Sequence, residues 1–119
     1  MAVERRIGVI MTFPAGYVHG VVRGISAAIP SHPTWTVRLA GGFEDWTDRM
    51  LAWKPHGVIA NVGSAIIAKP LRALGVPVVS FSGGLHEPVF PTVHVDDVRV
   101  GAMAAEHLLN LKLEHFAFW

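Results

Sequence analysis

The sequence predicts an α/β fold built on a doubly wound, mostly parallel sheet, and three observations carry that prediction. Short runs rich in Val and Ile alternate with segments whose apolar residues recur at helical spacing, the order expected of βαβ units. The first and third of these runs are apolar without alternation, as strands buried on both faces are. At 119 residues, 51% hydrophobic and 16% charged, the chain has the length and composition of one packed domain.

Each element can be justified in turn. Residues 6–11 (RIGVIM) form a continuous β-rich run that Thr12, Phe13 and Pro14 break. From 17 to 29, Val18, Val21, Val22, Ile25 and Ile29 recur at helical spacing, until Pro30 and Pro33 end the helix. Gly16, Gly20 and Gly24 fall four apart on it, which suits a close approach to the sheet. Residues 34–39 alternate polar and apolar, the pattern of a strand near the sheet edge, and Gly41 and Gly42 end it. Asp45 is placed to cap a short helix in which Trp46, Met50 and Trp53 share one core-facing side, closed by Pro55.

Residues 57–60 make a third strand, 65–74 a helix that Pro70 interrupts, and 76–81 a fourth strand. The loop 82–91 has no helical period, so strands four and five connect without a crossover helix. Residues 93–95 form strand five. The last helix spans 98–111, with Val100, Met103, Ala104, His107, Leu108 and Leu111 on a buried stripe.

Composition excludes several classes of function. The net charge is +1 with no run of Lys or Arg, so the chain carries no nucleic-acid footprint of its own. The apolar excess suggests surface meant for a partner, a second lobe or a dimer mate. With no cysteine there is neither a disulfide framework nor a thiol nucleophile. The amino terminus leads into a six-residue strand and lacks a secretion signal, which makes the cytoplasm the expected location. No apolar run approaches the ~20 residues that span a bilayer, so no membrane partner is expected. The seven histidines include no His-x-x-x-His pair, and the glycines form neither a dinucleotide fingerprint nor a Walker loop. No metal, no cofactor and no catalytic residue are therefore expected.

In parallel α/β sheets, ligands bind beyond the carboxyl ends of the strands. Four segments deliver polar or aromatic groups to that edge: Thr12 and Phe13, Asn61 and Ser64, Ser80 and Ser82, Asp96 and Asp97. Asp96 and Asp97 suit the hydroxyls of an uncharged polyol, since an ionised carboxylate is a strong acceptor. One of the two also suits the cap of the following helix. Phe13 and Tyr17 either stack on the apolar face of a sugar ring or pack in the core. Asn61 serves as a ligand donor or as a turn residue.

Several stretches resemble the effector-binding part of the lactose/galactose-repressor family: residues 6–10 (RIGVI), 57–60 (GVIA), 75–79 (GVPVV), and above all Val95, Asp96 and Asp97 followed by Gly101, Ala104, His107, Leu108 and residues 116–118 (FAF). A closer likeness, carried by residues 17–25, 55–60, 79–84 and 91–97, is to the xylose operon regulator branch. The resemblance implies a type I periplasmic-binding-protein-like N-terminal lobe at 1–115, with 116–119 beginning the crossover strand into a second lobe absent from this chain. It implies a non-enzymatic sensor of a small neutral sugar, with a pentose suspected. It also implies a homo-oligomer that meets DNA only through a domain outside this chain. Phe13, Tyr17, Asn61, Ser82, Asp96 and Asp97 are the expected ligand contacts. The alternatives are a sugar-uptake binding protein and a small α/β enzyme using Asp96 or Asp97 as general base.

Overall fold

The computed structural model describes residues 2–12, 16–41, 46–81 and 89–117. Strands β1 (Arg5–Met11), β2 (Trp35–Gly41), β3 (Gly57–Ala60) and β4 (Val78–Ser80) form one sheet in the order β2-β1-β3-β4, parallel throughout. The helices are α1 (Gly16–Ala28), α2 (Trp46–Trp53), α3 (Ala65–Ala73) and α4 (Asp97–Asn110). β1 lies between β2 and β3, and its Val9 and Ile10 have no exposed surface.

This strand order dictates where the first three helices go. The chain travels outward from β1 to β2, then reverses past β1 to β3 and continues to β4. Right-handed crossovers along that path put α1 on one face and α2 and α3 on the other. Packing agrees. Met50, Ala68 and Leu71 join Ile10, Val58, Ala60, Val62 and Val78 in the main core, with Trp46 and Trp53 against it. On the opposite face Val22 and Ile25 of α1, with Ile29 just after it, surround a cavity of about 110 Å³ with Val9, Val37 and Leu39. The sheet is doubly wound, as the sequence predicts. Each fully buried side chain of the Met50 and Leu71 kind contributes roughly 1.5–3 kcal/mol.

The glycine stripe of α1 does not approach the sheet. A Cβ added at Gly16, Gly20 or Gly24 meets nothing within 4 Å. At 100° per residue these three lie on the far side of the helix from Val18 and Ile25, which take the sheet-facing side. The close approach occurs instead at Gly8, where a Cβ would stand 2.8 Å from Met50 Sδ and 3.6 Å from Val58 Cγ2. Glycine at that point of β1 lets α2 sit directly on the strand.

α3 runs unbroken through Pro70, contrary to the expected interruption. The carbonyl that proline leaves without a helical donor belongs to Ile66, which is 85% exposed, so water serves it. Gly75 then turns the chain out of the helix at φ 65°, with its N–H on the Arg72 carbonyl at 3.2 Å. β4 is only three residues long because Pro77 has no N–H for the ladder; its carbonyl accepts from Val58 N–H at 2.9 Å.

Beyond β4 the chain departs further from expectation. No fifth strand forms at 93–95: a single bridge joins Thr92 to Ser80, with Ser80 N–H on Pro91 O and Val93 N–H on Ser80 O, both at 2.8 Å. The chain then leaves the sheet. Every residue of α4 is exposed, including Val100, Met103, Ala104, His107 and Leu108, and so is Leu111 just after it; the expected buried stripe is therefore uncovered. The radius of gyration, 17.9 Å, exceeds the roughly 13.5 Å of a compact chain this long, and the longest dimension is 62 Å. Helical periodicity identifies an apolar side; it does not guarantee a surface of the same body within reach.

Candidate functional site

β1, β3 and β4 are parallel and end at one edge of the sheet, so the residues following them are brought together. Asn61 directly follows β3, and its N–H donates to Ile10 O at 3.0 Å. Its side chain is buried, 7% exposed, and Oδ1 accepts a hydrogen bond from Thr12 Oγ1 at 3.0 Å. With Oδ1 engaged, Asn61 Nδ2 remains a donor at the end of the strands. Phe81 extends the same edge: its N–H donates to Ala60 O at 3.1 Å, and its carbonyl accepts from the Tyr17 hydroxyl. The two aromatic rings lie 6.2 Å apart, tilted by 47°. Tyr17, from the first turn of α1, is half-exposed, whereas Phe81 is buried.

The described part of the rim thus pairs a hydroxyl and a carboxamide with an adjoining aromatic wall. Amide and hydroxyl groups match the alternating donors and acceptors of a neutral polyol, and an aromatic face covers the C–H side of such a ring. Ser64 belongs to the same region, immediately before α3, and its side chain makes no capping hydrogen bond.

The six sequence-predicted contacts fall into three groups. Tyr17 and Asn61 lie at the rim. Phe13 and Ser82 lie outside the described residues, as does Asp45, the expected cap of α2. Asp96 and Asp97 stand at the entrance to α4. Asp96 Oδ1 accepts from Arg99 N–H at 2.9 Å and is the N-cap, while Asp97 occupies the first turn and faces solvent. The capping role foreseen for one of the pair thus falls to Asp96. Phe81 was not among the expected contacts, although it follows β4 as Asn61 follows β3. That shared position after a buried apolar run was the available signal.

Among the described residues no cluster of three or more His, Asp or Glu could hold a metal ion. Among them, too, no helix is long and apolar enough to cross a membrane.

No protein-family model matches the chain. Its parallel sheet, wound on both faces, is a type I periplasmic-binding-protein-like fold. It superposes on the transcription regulator CcpA of Lactococcus lactis with a TM-score of 0.71 at 18% identity, covering 90% of this chain and 42% of that one. A LacI family transcriptional regulator from Enterococcus faecium, solved with bound ribose, gives 0.70 at 22% identity over 90% of this chain and 41% of its own. The periplasmic ribose ABC transporter protein from Conexibacter woesei gives 0.69 at 20% identity, over 92% of this chain and 40% of its own.

In sequence the chain is similar to the xylose operon regulatory protein of Escherichia coli K12, 27% identical over 121 aligned residues and 98% of this chain. The protein of that name from Escherichia coli O157:H7 matches equally. The resemblance to repressor-type effector domains, and to the xylose operon branch in particular, thus extends over nearly all of this chain. The chain spans 31% of the length of these relatives.

Proposed function

We propose that this chain is the ligand-sensing lobe of a sugar-responsive transcription regulator, with a pentose such as xylose as effector. The carrying observation is the sequence similarity to xylose operon regulatory proteins across 98% of the chain. The rim formed by Thr12, Asn61, Tyr17 and Phe81 supports it, because its groups suit a neutral sugar. Phe13, Ser82 and the Asp96–Asp97 pair complete the proposed contacts. In this reading the lobe is non-enzymatic and works in the cytoplasm as part of a homo-oligomer. DNA is met through a domain outside residues 1–119, and a second lobe following residue 115 supplies the remaining sugar contacts.

Sugar binding switches such a protein only if it favours one arrangement of the lobes over the other. A single lobe supplies about half the contacts, so its affinity for free pentose falls in the millimolar range or weaker. The test is an amide-resolved NMR titration of the chain with D-xylose, D-ribose and L-arabinose. Shifts centred on Thr12, Tyr17, Asn61 and Phe81 and reaching Phe13, Ser82, Asp96 and Asp97, reduced in Asn61→Ala, are expected for at least one pentose. Sub-millimolar affinity of the lone lobe, or shifts confined to another surface, would overturn the proposal.

A second reading, a sugar-uptake binding protein, is favoured by the likeness to the Conexibacter woesei transporter protein. A helix-turn-helix segment encoded in the same reading frame would exclude it.

A further inference from the structure

The carboxamide of Asn61 is buried yet only half satisfied. Its residue is 7% exposed, Oδ1 accepts from Thr12 Oγ1 at 3.0 Å, and among the described residues no acceptor meets Nδ2. Buried polar groups are nearly always paired, so a donor left open at a strand end points to a ligand. The space beside it is open. Apart from its chain neighbours, a Cβ added at Gly63 meets only Asn61 Oδ1 among the described residues, at 4.0 Å.

Register brings Thr12 and Asn61 together. Ile10 pairs with Ala60 across the parallel strands β1 and β3, so Thr12, two residues on, stands diagonally from Asn61, one residue on. Valine has the shape of threonine and would continue the apolar run of β1 equally well. What threonine adds at this point is the hydroxyl.

A carboxamide is nearly symmetric in shape, and half a turn about its last bond exchanges donor and acceptor. Thr12 settles which end is left for a ligand by giving its proton to Oδ1. The Tyr17 hydroxyl likewise gives its proton to Phe81 O. Both hydroxyls therefore retain only lone pairs, and of these three side chains Asn61 supplies the donor.

We propose that Thr12 is a positioning residue for ligand recognition: it orients the Asn61 carboxamide so that Nδ2 donates to a sugar oxygen, while the Thr12 and Tyr17 oxygens accept from sugar hydroxyls. This inference rests on the sugar-sensing reading and adds the polarity of its site. The pattern suits a polyol, which brings both donors and acceptors, and not a carboxylate, which brings no donor.

The test uses the isotope-labelled chain and three variants. Thr12→Val keeps the shape and removes the hydroxyl, Thr12→Ser keeps the hydroxyl, and Asn61→Asp keeps an acceptor for Thr12 and removes the donor. Backbone amide shifts of Val9, Ile10 and Val58 in the core control for folding. Without sugar, the Asn61 Cγ resonance reports hydrogen-bond acceptance at Oδ1. It is expected to move upfield in Thr12→Val and to stay near its native position in Thr12→Ser. A response of Nδ2 in place of Cγ would mean that the amide donates to Thr12, and would overturn the proposal. For the pentose that shifts the native chain most, affinity is expected to fall roughly three- to tenfold in Thr12→Val and to stay within about twofold of native in Thr12→Ser. Asn61→Asp is expected to lose roughly five- to tenfold. Native affinity in Thr12→Val or Asn61→Asp would overturn the proposal, since a merely structural Thr12 leaves ligand affinity unchanged. Absence of pentose shifts in the native chain, with the Cγ response present, would sink the sensing reading and leave the orienting role of Thr12 standing, so the two fail separately.

Discussion

Introducing a methyl group at Gly8 tests the packing of α2 on β1 directly. A Cβ there would lie 2.8 Å from Met50 Sδ, about 1 Å inside the usual carbon–sulfur contact distance. Met50 is fully buried and cannot swing into water, and Val58 Cγ2 at 3.6 Å blocks sideways relief. Overpacking of this kind costs about 1–3 kcal/mol. Replacing glycine within a strand returns roughly 0.5–1 kcal/mol of backbone entropy. Gly8→Ala is therefore expected to be destabilising by up to about 2.5 kcal/mol. Met50→Ala alone removes a fully buried side chain and costs about 2–5 kcal/mol. In the double variant the new methyl group meets space rather than sulfur, so the two losses do not add. The double variant is expected to be more stable than their sum by about 1–3 kcal/mol. Urea unfolding followed by the fluorescence of Trp46 and Trp53, at one fixed protein concentration, measures all four corners of the cycle. Additivity within about 0.5 kcal/mol would refute the close contact and the strand-on-helix geometry drawn from it.

Two further substitutions probe single elements. Gly75→Ala forces a side chain into φ 65° with nothing within 4 Å, so its cost is purely conformational, about 1–2 kcal/mol in urea unfolding. Gly75→Asn is expected to lose less, because asparagine tolerates that conformation. Asp96→Ala removes the side-chain acceptor for Arg99 N–H and is expected to cost about 1 kcal/mol of α4 stability. Because no residue of α4 is buried, the loss appears as reduced helical circular dichroism while the near-ultraviolet signal of the sheet core is unchanged.

Where the fold depends on patterns local to a segment, the sequence was readable. β3 falls on residues 57–60 as expected, since Pro55 and the following apolar run fix both its ends. The shared side of Trp46, Met50 and Trp53 emerged from spacing alone, and Met50 is indeed fully buried. The glycine stripe of α1 was misleading because small residues four apart fit either a crowded contact or an unoccupied face. Only the side taken by Val18 and Ile25 distinguishes the two. The 93–95 strand and the burial of α4 depended on long-range pairing, and no local period reports whether a neighbour is within reach. At the rim, Tyr17 and Asn61 were found from their positions after buried strands. Phe81 was missed because aromatic residues ending an apolar run look like more of the run.

The position of β1 in the sheet has a cost during synthesis. Of the four strands of this sheet the one made first is also the most enclosed, yet its partners are encoded some thirty and fifty residues later. At ordinary translation rates of about 5–20 residues per second, residues 5–11 wait roughly 2–10 seconds before β3 emerges. Both edges of this apolar segment are open until β2 emerges, and one stays open until β3 follows. Within this sheet, the stretch left exposed longest during synthesis is the one that ends up deepest inside it.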